Sequence, residues 1–344
     1  PGRLAPRADR PMSSRTILSA LGLVALALVA WELRWVLLVL FGAIVLAVAL
    51  DVPITQLRRL TALNRPLALL VVLIGLVLMG GWMASLLLPE LVQQIHQLTN
   101  LIPTVFERLM TLLGQVHWIS NLQNQLLQPG TLERLQPVGS QLLGFAGGAA
   151  NSTLQLVLMA LLAILLALDP RSHQGIVIAL TPQRWRGTTK QVLAECRQAL
   201  GGWLAGMTLS AVSVFLLTWA GLALLKVPLA LLSGLVCGLL TFVPTIGPSA
   251  ATLLPMAVAL LVSPATMLQV LVLRLVLQNV EAFLITPLLL SRTVNLLPTV
   301  SLMAQLCLGA LLGLPGVLLA LPLVVVLQVI CEELVVKAVM DRWV

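Results

Sequence analysis

Charge is what this sequence lacks most. Only 9% of its 344 residues are charged, against about 25% in a soluble domain. With 59% hydrophobic residues and a mean hydropathy of +1.05, a water-soluble globular fold is excluded. No ten-residue alternation of apolar and polar positions runs through it, which excludes a β-barrel and leaves the helical class. The four cysteines, Cys196, Cys237, Cys307 and Cys331, are scattered without any CxxC spacing, so neither a disulfide framework nor a zinc ribbon is supported. Three of them lie in apolar runs and read as small core residues. His96, His117 and His173 stand far apart in polar segments, and no metal site follows from them. There is no GxxxxGK[ST] phosphate loop and no nucleophile–base pair, so an enzyme and a cofactor are not expected.

What is present is length of apolar chain. Residues 227–273 run for 47 positions between Lys226 and Arg274 without one charge. As a straight helix they would be about 70 Å long, more than twice a bilayer core of about 30 Å. The segment must fold back, and Thr241-Phe242-Val243-Pro244-Thr245-Ile246-Gly247-Pro248 says where. Two prolines and a glycine there remove amide donors and break the helical ladder. Two half-helices, 229–241 and 249–262, are expected to meet at this irregular turn. Backbone left unpaired at membrane depth is tolerated where protein buries it or a watery cavity meets it, and transporters often line their substrate path this way. Two tight spans joined by an ordinary loop would carry the same composition.

Residues 1–16 form a basic tail (Arg3, Arg7, Arg10 and Arg15 against Asp9), with Met12 a plausible translational start. Residues 17–30 and 36–50 read as two spans joined through Trp31-Glu32-Leu33-Arg34-Trp35, and 66–88 as a third, so 17–88 groups the first three helices. Residues 89–148 are the one long polar stretch. Within it Leu91, Ile95, Leu98 and Ile102, then Val105, Leu109 and Leu112, repeat at helical spacing, which predicts amphipathic helices. Spans follow at 151–168, 201–225 and 267–290. A second uncharged run of 39 residues, 293–331, is interrupted by Gly313-Leu314-Pro315-Gly316 and predicts a second hairpin. The transport core is therefore 149–331, and 332–344 is a tail. The expected fold is an all-α polytopic membrane protein with six transmembrane helices plus two Pro/Gly-broken hairpins, eight to ten crossings in all.

Lys and Arg on short loops set orientation. The N-terminal tail holds four, the 51–65 loop three and the 169–198 segment five, while the sixty residues of 89–148 hold two. This puts both termini in the cytoplasm and 89–148 outside. It also accounts for the net charge of +8 without a nucleic-acid partner.

Charges inside a span are costly, at about 2.5–3.5 kcal/mol each at mid-bilayer, and point to function. Arg274, Gln278 and Glu281 fall on one face of the 267–290 helix, a polar stripe that cannot face lipid cheaply. Glu281 reads as a functional carboxylate able to exchange a proton with a cavity, and Arg274 as a structural group. The half-helix after Pro248 offers free amides and a positive dipole end, which suit oxygen-rich or anionic groups.

These residues resemble a known family. Phe242-Val243-Pro244-Thr245-Ile246-Gly247-Pro248 is similar to the (I/V)PxIGP signature of the autoinducer-2 exporter (AI-2E) family, and Gln278-Asn279-Val280-Glu281 with Thr286-Pro287 to its Q-x-(I/V)-E-N…P segment. Leu297-Pro298, Gly309, Gly313, Gly316 and Leu321-Pro322 match the closing run. Ala47…Pro53, Arg65-Pro66-Leu67-Ala68, Leu88-Pro89 and Gly201…Gly206 fit in order before them. Ala282, Met207 and Thr245 depart from the family's usual Asn, Gln and aromatic residue. The resemblance implies a homo-oligomeric permease of the cytoplasmic membrane that exports a small polar signal; some members are assigned to sodium/proton antiport. The expected path residues are Phe242, Pro244, Thr245, Gly247, Pro248, Arg274, Gln278 and Glu281, with Glu281 coupling an ion. A membrane scaffold whose outer region 89–148 binds a partner is the reading from another class.

Overall fold

The computed structural model describes residues 25, 28–29, 31–114, 149–243, 246–285 and 297–336, and among them there are helices and no strand. In chain order they are α1 (Arg34–Leu60), α2 (Arg65–Gly114), α3 (Ala149–Leu168), α4 (Pro170–Leu180), α5 (Arg186–Leu224), α6 (Ala230–Leu240), α7 (Ile246–Val262), α8 (Pro264–Val280) and α9 (Pro298–Cys331). Five helices are long and apolar enough to cross a membrane, or six if α3 and α4 count as one bent span. The expected spans at 36–50, 66–88 and 151–168 lie in α1, α2 and α3, that at 201–225 lies in α5 as far as Leu224, and that at 267–290 lies in α8 as far as Val280, with 286–290 outside the described residues. The expected first span at 17–30 and most of the polar stretch after Gly114 lie outside the described residues.

The helix that holds the third expected span does not end where the polar stretch begins. α2 is one helix of 50 residues that runs through Pro89 and Pro103. Each proline removes one amide donor, but its fixed φ suits a helix, and packing on either side carries α2 past Pro89. Ala68 and Leu69 sit in one apolar cluster, and Leu91, Leu98 and Leu101 pack on another. The buried face also differs from the expected stripe. Gln94 is buried where Ile95 and Ile102 are exposed, so the inward positions are 91, 94, 98 and 101.

Small residues bring the first three helices together: Ala43 and Ala47 of α1, Ala68 of α2, and Ala163 and Ala167 of α3 share one core. The same helices are pinned at one end by Asp51. Its carboxylate accepts from Arg65 at 2.6 Å and from Arg197 Nε at 2.8 Å, while Arg65 Nε donates to the Ala167 carbonyl at 2.8 Å. Three helices, α1, α2 and α5, thus meet on one acid, and Arg65 ties α3 to the same cluster. Just beyond, Asp169 caps α4, accepting from the Ser172 amide at 3.2 Å and hydroxyl at 2.5 Å, and Pro170 occupies the first helical position. The Ser172 hydroxyl holds the Asp169 carboxyl below its ordinary value of 3.8. α4 leaves α3 at 87°, with only Asp169 between them, so the chain breaks sharply at this end of the bundle.

α5 is the central plank. Its first half packs Ala199, Leu200, Trp203 and Met207 against Leu321, Val325 and Val329 of α9. α9 is itself the expected second hairpin: Gly313 takes φ +66°, ψ −149°, a conformation open to glycine. The chain reverses there so tightly that a Cβ on Gly309 would lie 2.8 Å from Val317. A Cβ on Gly316 would run into the Leu308 carbonyl.

Candidate functional site

The break in the long apolar segment is built as two short helices, α6 of 11 residues and α7 of 17. At 1.5 Å per residue they measure about 17 and 26 Å, both short of a bilayer core of about 30 Å. They lie side by side as a hairpin, with the Cys237 thiol 3.3 Å from the Ala251 carbonyl and Leu232 packed in one cluster with Val258 and Ala259. The chain enters α6 through Lys226 and Leu229, both at positive φ (55° and 57°), a left-handed conformation that costs a non-glycine residue about 1–2 kcal/mol. Leu229 is buried in the hairpin core, which offsets that strain. Gln94 of α2 closes the N-terminus of α6, its side-chain oxygen accepting from the Leu232 amide at 2.8 Å.

Glycine lets this hairpin lie directly on α5. A Cβ on Gly238 would sit 2.8 Å from the Ala211 carbonyl oxygen, and one on Gly234 would sit 2.9 Å from Trp219. Phe242, at the tip, packs against the cluster of Leu200, Trp203 and Met207. The tip therefore reaches the middle of α5. Gly247 is buried, its amide donates to the Val243 carbonyl at 2.8 Å, and a Cβ there would run into the Leu240 carbonyl. Pro244 and Thr245 lie outside the described residues.

α8 flanks the same stretch of α5, antiparallel to it. Leu273 faces Gly221, Arg274 faces Thr218 and Glu281 faces Ser210, so the two chains count in opposite directions. Arg274 is 3% exposed and spends its donors on neutral oxygens. It reaches Thr218 Oγ1 at 3.1 Å, Thr252 Oγ1 at 3.4 Å and the Pro248 carbonyl at 3.4 Å. The Thr252 hydroxyl also donates to the Pro248 carbonyl at 2.9 Å. Arg274 thus ties α5 and α8 to the first turns of α7. Its cation stands beside the positive end of that helix, and the two fields add.

Glu281 lies about 10 Å further along the axis, at a π-helical turn, Glu281–Ile285, and accepts from the Ser210 hydroxyl at 3.1 Å. Seven residues past Arg274, it sits beside the turn of α5 that follows Met207. Gln278 is half-buried on the face between the two charges. Arg274 and Glu281 form no direct ion pair; Arg274 bonds Thr218, Thr252 and Pro248, and Glu281 bonds Ser210. Ser210, Thr218, Thr252 and Gln94 are contributors that sequence reasoning missed. A signal existed for the first two, hydroxyls eight positions apart in an apolar run, two turns along one helix face.

Long apolar helices clasping a broken hairpin, with a cation and an acid turned inward, define a polytopic helical membrane protein of the transporter type. The chain matches the family described as "AI-2E family transporter" over residues 21–336, and it belongs to that family. Among curated proteins it is similar to "Putative transport protein YrrI" of Bacillus subtilis, 24% identical over 87% of this chain and 88% of that one. It is similar also to "Putative permease PerM" of Escherichia coli, 27% identical over 88% of this chain and 86% of that one. "Putative transport protein sll0060" of Synechocystis is 24% identical over 80% and 82%.

Proposed function

We propose that this permease exports a small polar, oxygen-rich metabolite of the autoinducer-2 kind across the cytoplasmic membrane, along the stretch of α5 that carries both the hairpin tip and Glu281. The observation that carries the reading is the way Arg274 is held. A buried guanidinium bound, among the described residues, by hydroxyls and a carbonyl keeps its net charge, and it sits against the positive end of α7. That field favours carbonyl, hydroxyl and anionic oxygens of a solute. Glu281, tethered by one hydroxyl, supplies the opposite sign and an acceptor on the same path. The shortness of α6 and α7 supports a hairpin that enters from the outer side, stops near mid-membrane and returns. The basic segments around Asp51, Asp169 and Arg197 then lie in the cytoplasm with both termini. The chain works as a homo-oligomer, with Phe242, Pro244, Thr245, Gly247, Pro248 and Gln278 lining the route.

The test is transport in proteoliposomes with a panel of small polyols, hydroxyketones and furanones, with and without a pH gradient. Glu281→Gln should lower flux of the accepted solute by about tenfold or more, a barrier change of about 1.4 kcal/mol, with reconstitution unchanged. Cation flux coupled to protons, with no solute moved, would instead assign Glu281 to antiport. Equal solute flux in wild type and Glu281→Gln would remove Glu281 from the path.

A further inference from the structure

Two cavities adjoin at the end of the bundle that carries the basic segments, and they differ in chemistry. One, of about 410 Å³, is walled by Arg58, Arg65, Arg171 and Arg197. The other, of about 510 Å³, is apolar, with Phe41, Ile44, Val177 and Ile330 in its walls. They share Arg65, Pro170, Gln174 and Arg197, so a polar chamber lies directly beside an oily one. We propose that an anionic phospholipid occupies both, its phosphate among the arginines and one acyl chain in the apolar cavity.

Charge supports this occupant. Four guanidiniums face two carboxylates, Asp51 and Asp169. Asp51 is saturated by Arg65 and Arg197, and Asp169 is engaged by Ser172. Arg58 and Arg171 are exposed and make no ion pair among the described residues, leaving their charge for a ligand. Position supports it as well. α4 turns away from α3 by 87° and exposes Ile176, Val177 and Leu180, as a helix lying in the interface does. Trp185, 38% exposed, follows it with Arg184 stacked 5.7 Å from its ring centroid, an aromatic anchor at headgroup level. Basic pockets between helices at that level bind anionic headgroups. A free phosphate would leave the apolar half without a use.

The test uses the purified full-length chain in detergent, incubated with phosphatidylglycerol, phosphatidylcholine or inorganic phosphate and read by native mass spectrometry. Wild type should retain phosphatidylglycerol about tenfold better than phosphatidylcholine, a difference of about 1.4 kcal/mol. The double variant Arg58→Ala/Arg171→Ala should erase that preference without changing the unfolding temperature of the lipid-free protein. Val177→Trp, which keeps every arginine and narrows the apolar cavity, should also reduce phosphatidylglycerol retention. Unchanged retention in either variant overturns the proposal. Inorganic phosphate bound as well as phosphatidylglycerol would assign the arginines to a soluble anion. A changed subunit number in the double variant would assign them to a contact between copies, and either result overturns the lipid.

Discussion

Asp51 and Arg274 are both buried charges on apolar helices, and they are satisfied in opposite ways. Asp51 is clamped between Arg65 and Arg197 at the end of the bundle where four helices converge. Arg274, near the broken hairpin, has two threonine hydroxyls and one carbonyl. An ion pair with few alternatives locks geometry, and losing one partner leaves an uncompensated charge. Neutral dipoles each contribute little, and they leave the guanidinium's charge to act on whatever approaches. One region is built to stay put, and the other to keep a field available.

The largest expected effect lies at the clamp. Asp51→Ala should cost about 3–5 kcal/mol, because it strands Arg65, whose side chain is 19% exposed. Arg197→Ala should cost only about 1 kcal/mol, since that side chain is 42% exposed. Thermal unfolding in a fixed detergent measures both, and equal losses would break the idea of a clamp centred on Asp51. Next comes Gly247→Ala. Its Cβ has to displace the Leu240 carbonyl, so about 3 kcal/mol and most transport should be lost. Wild-type stability and flux would mean that the tip yields freely.

The Arg274 side of the contrast is sharpened by Thr218→Val, which removes the acceptor of a 3.1 Å bond. About 2 kcal/mol should be lost for the unmet donor, and Thr218→Ser should restore it; a Val variant as stable as wild type would show that the hydroxyl is dispensable. The smallest effect is expected at Gln94→Leu, which uncaps α6 for about 1 kcal/mol. Hydrogen exchange should quicken at the Leu232 amide while the Asp51 end stays unchanged. Faster exchange at both ends would mean that the two regions are not independent.

Much of this could be read along the chain. The half-helices expected at 229–241 and 249–262 appear as Ala230–Leu240 and Ile246–Val262, because proline spacing and charge-free length are local properties. The second reversal falls at Gly313 for the same reason. Pro89, by contrast, suggested the end of a helix and does not end one, since packing on both sides of it holds α2 together. Asp51 looked like one acid in a basic loop; its partner Arg197 stands 146 positions away.

By itself, then, the sequence determined the class of protein, the places where its apolar runs must fold back and the one stripe of charge that cannot face lipid. Those follow from how many apolar residues a bilayer accepts in a row and from which residues cannot continue a helix. Only the tertiary structure decided who meets whom. Arg274 finds Thr218 across 56 positions and Glu281 finds Ser210 across 71, because α8 lies antiparallel on α5 in one register. That register is set by the summed packing of the helices and glycines between them, which no local pattern encodes.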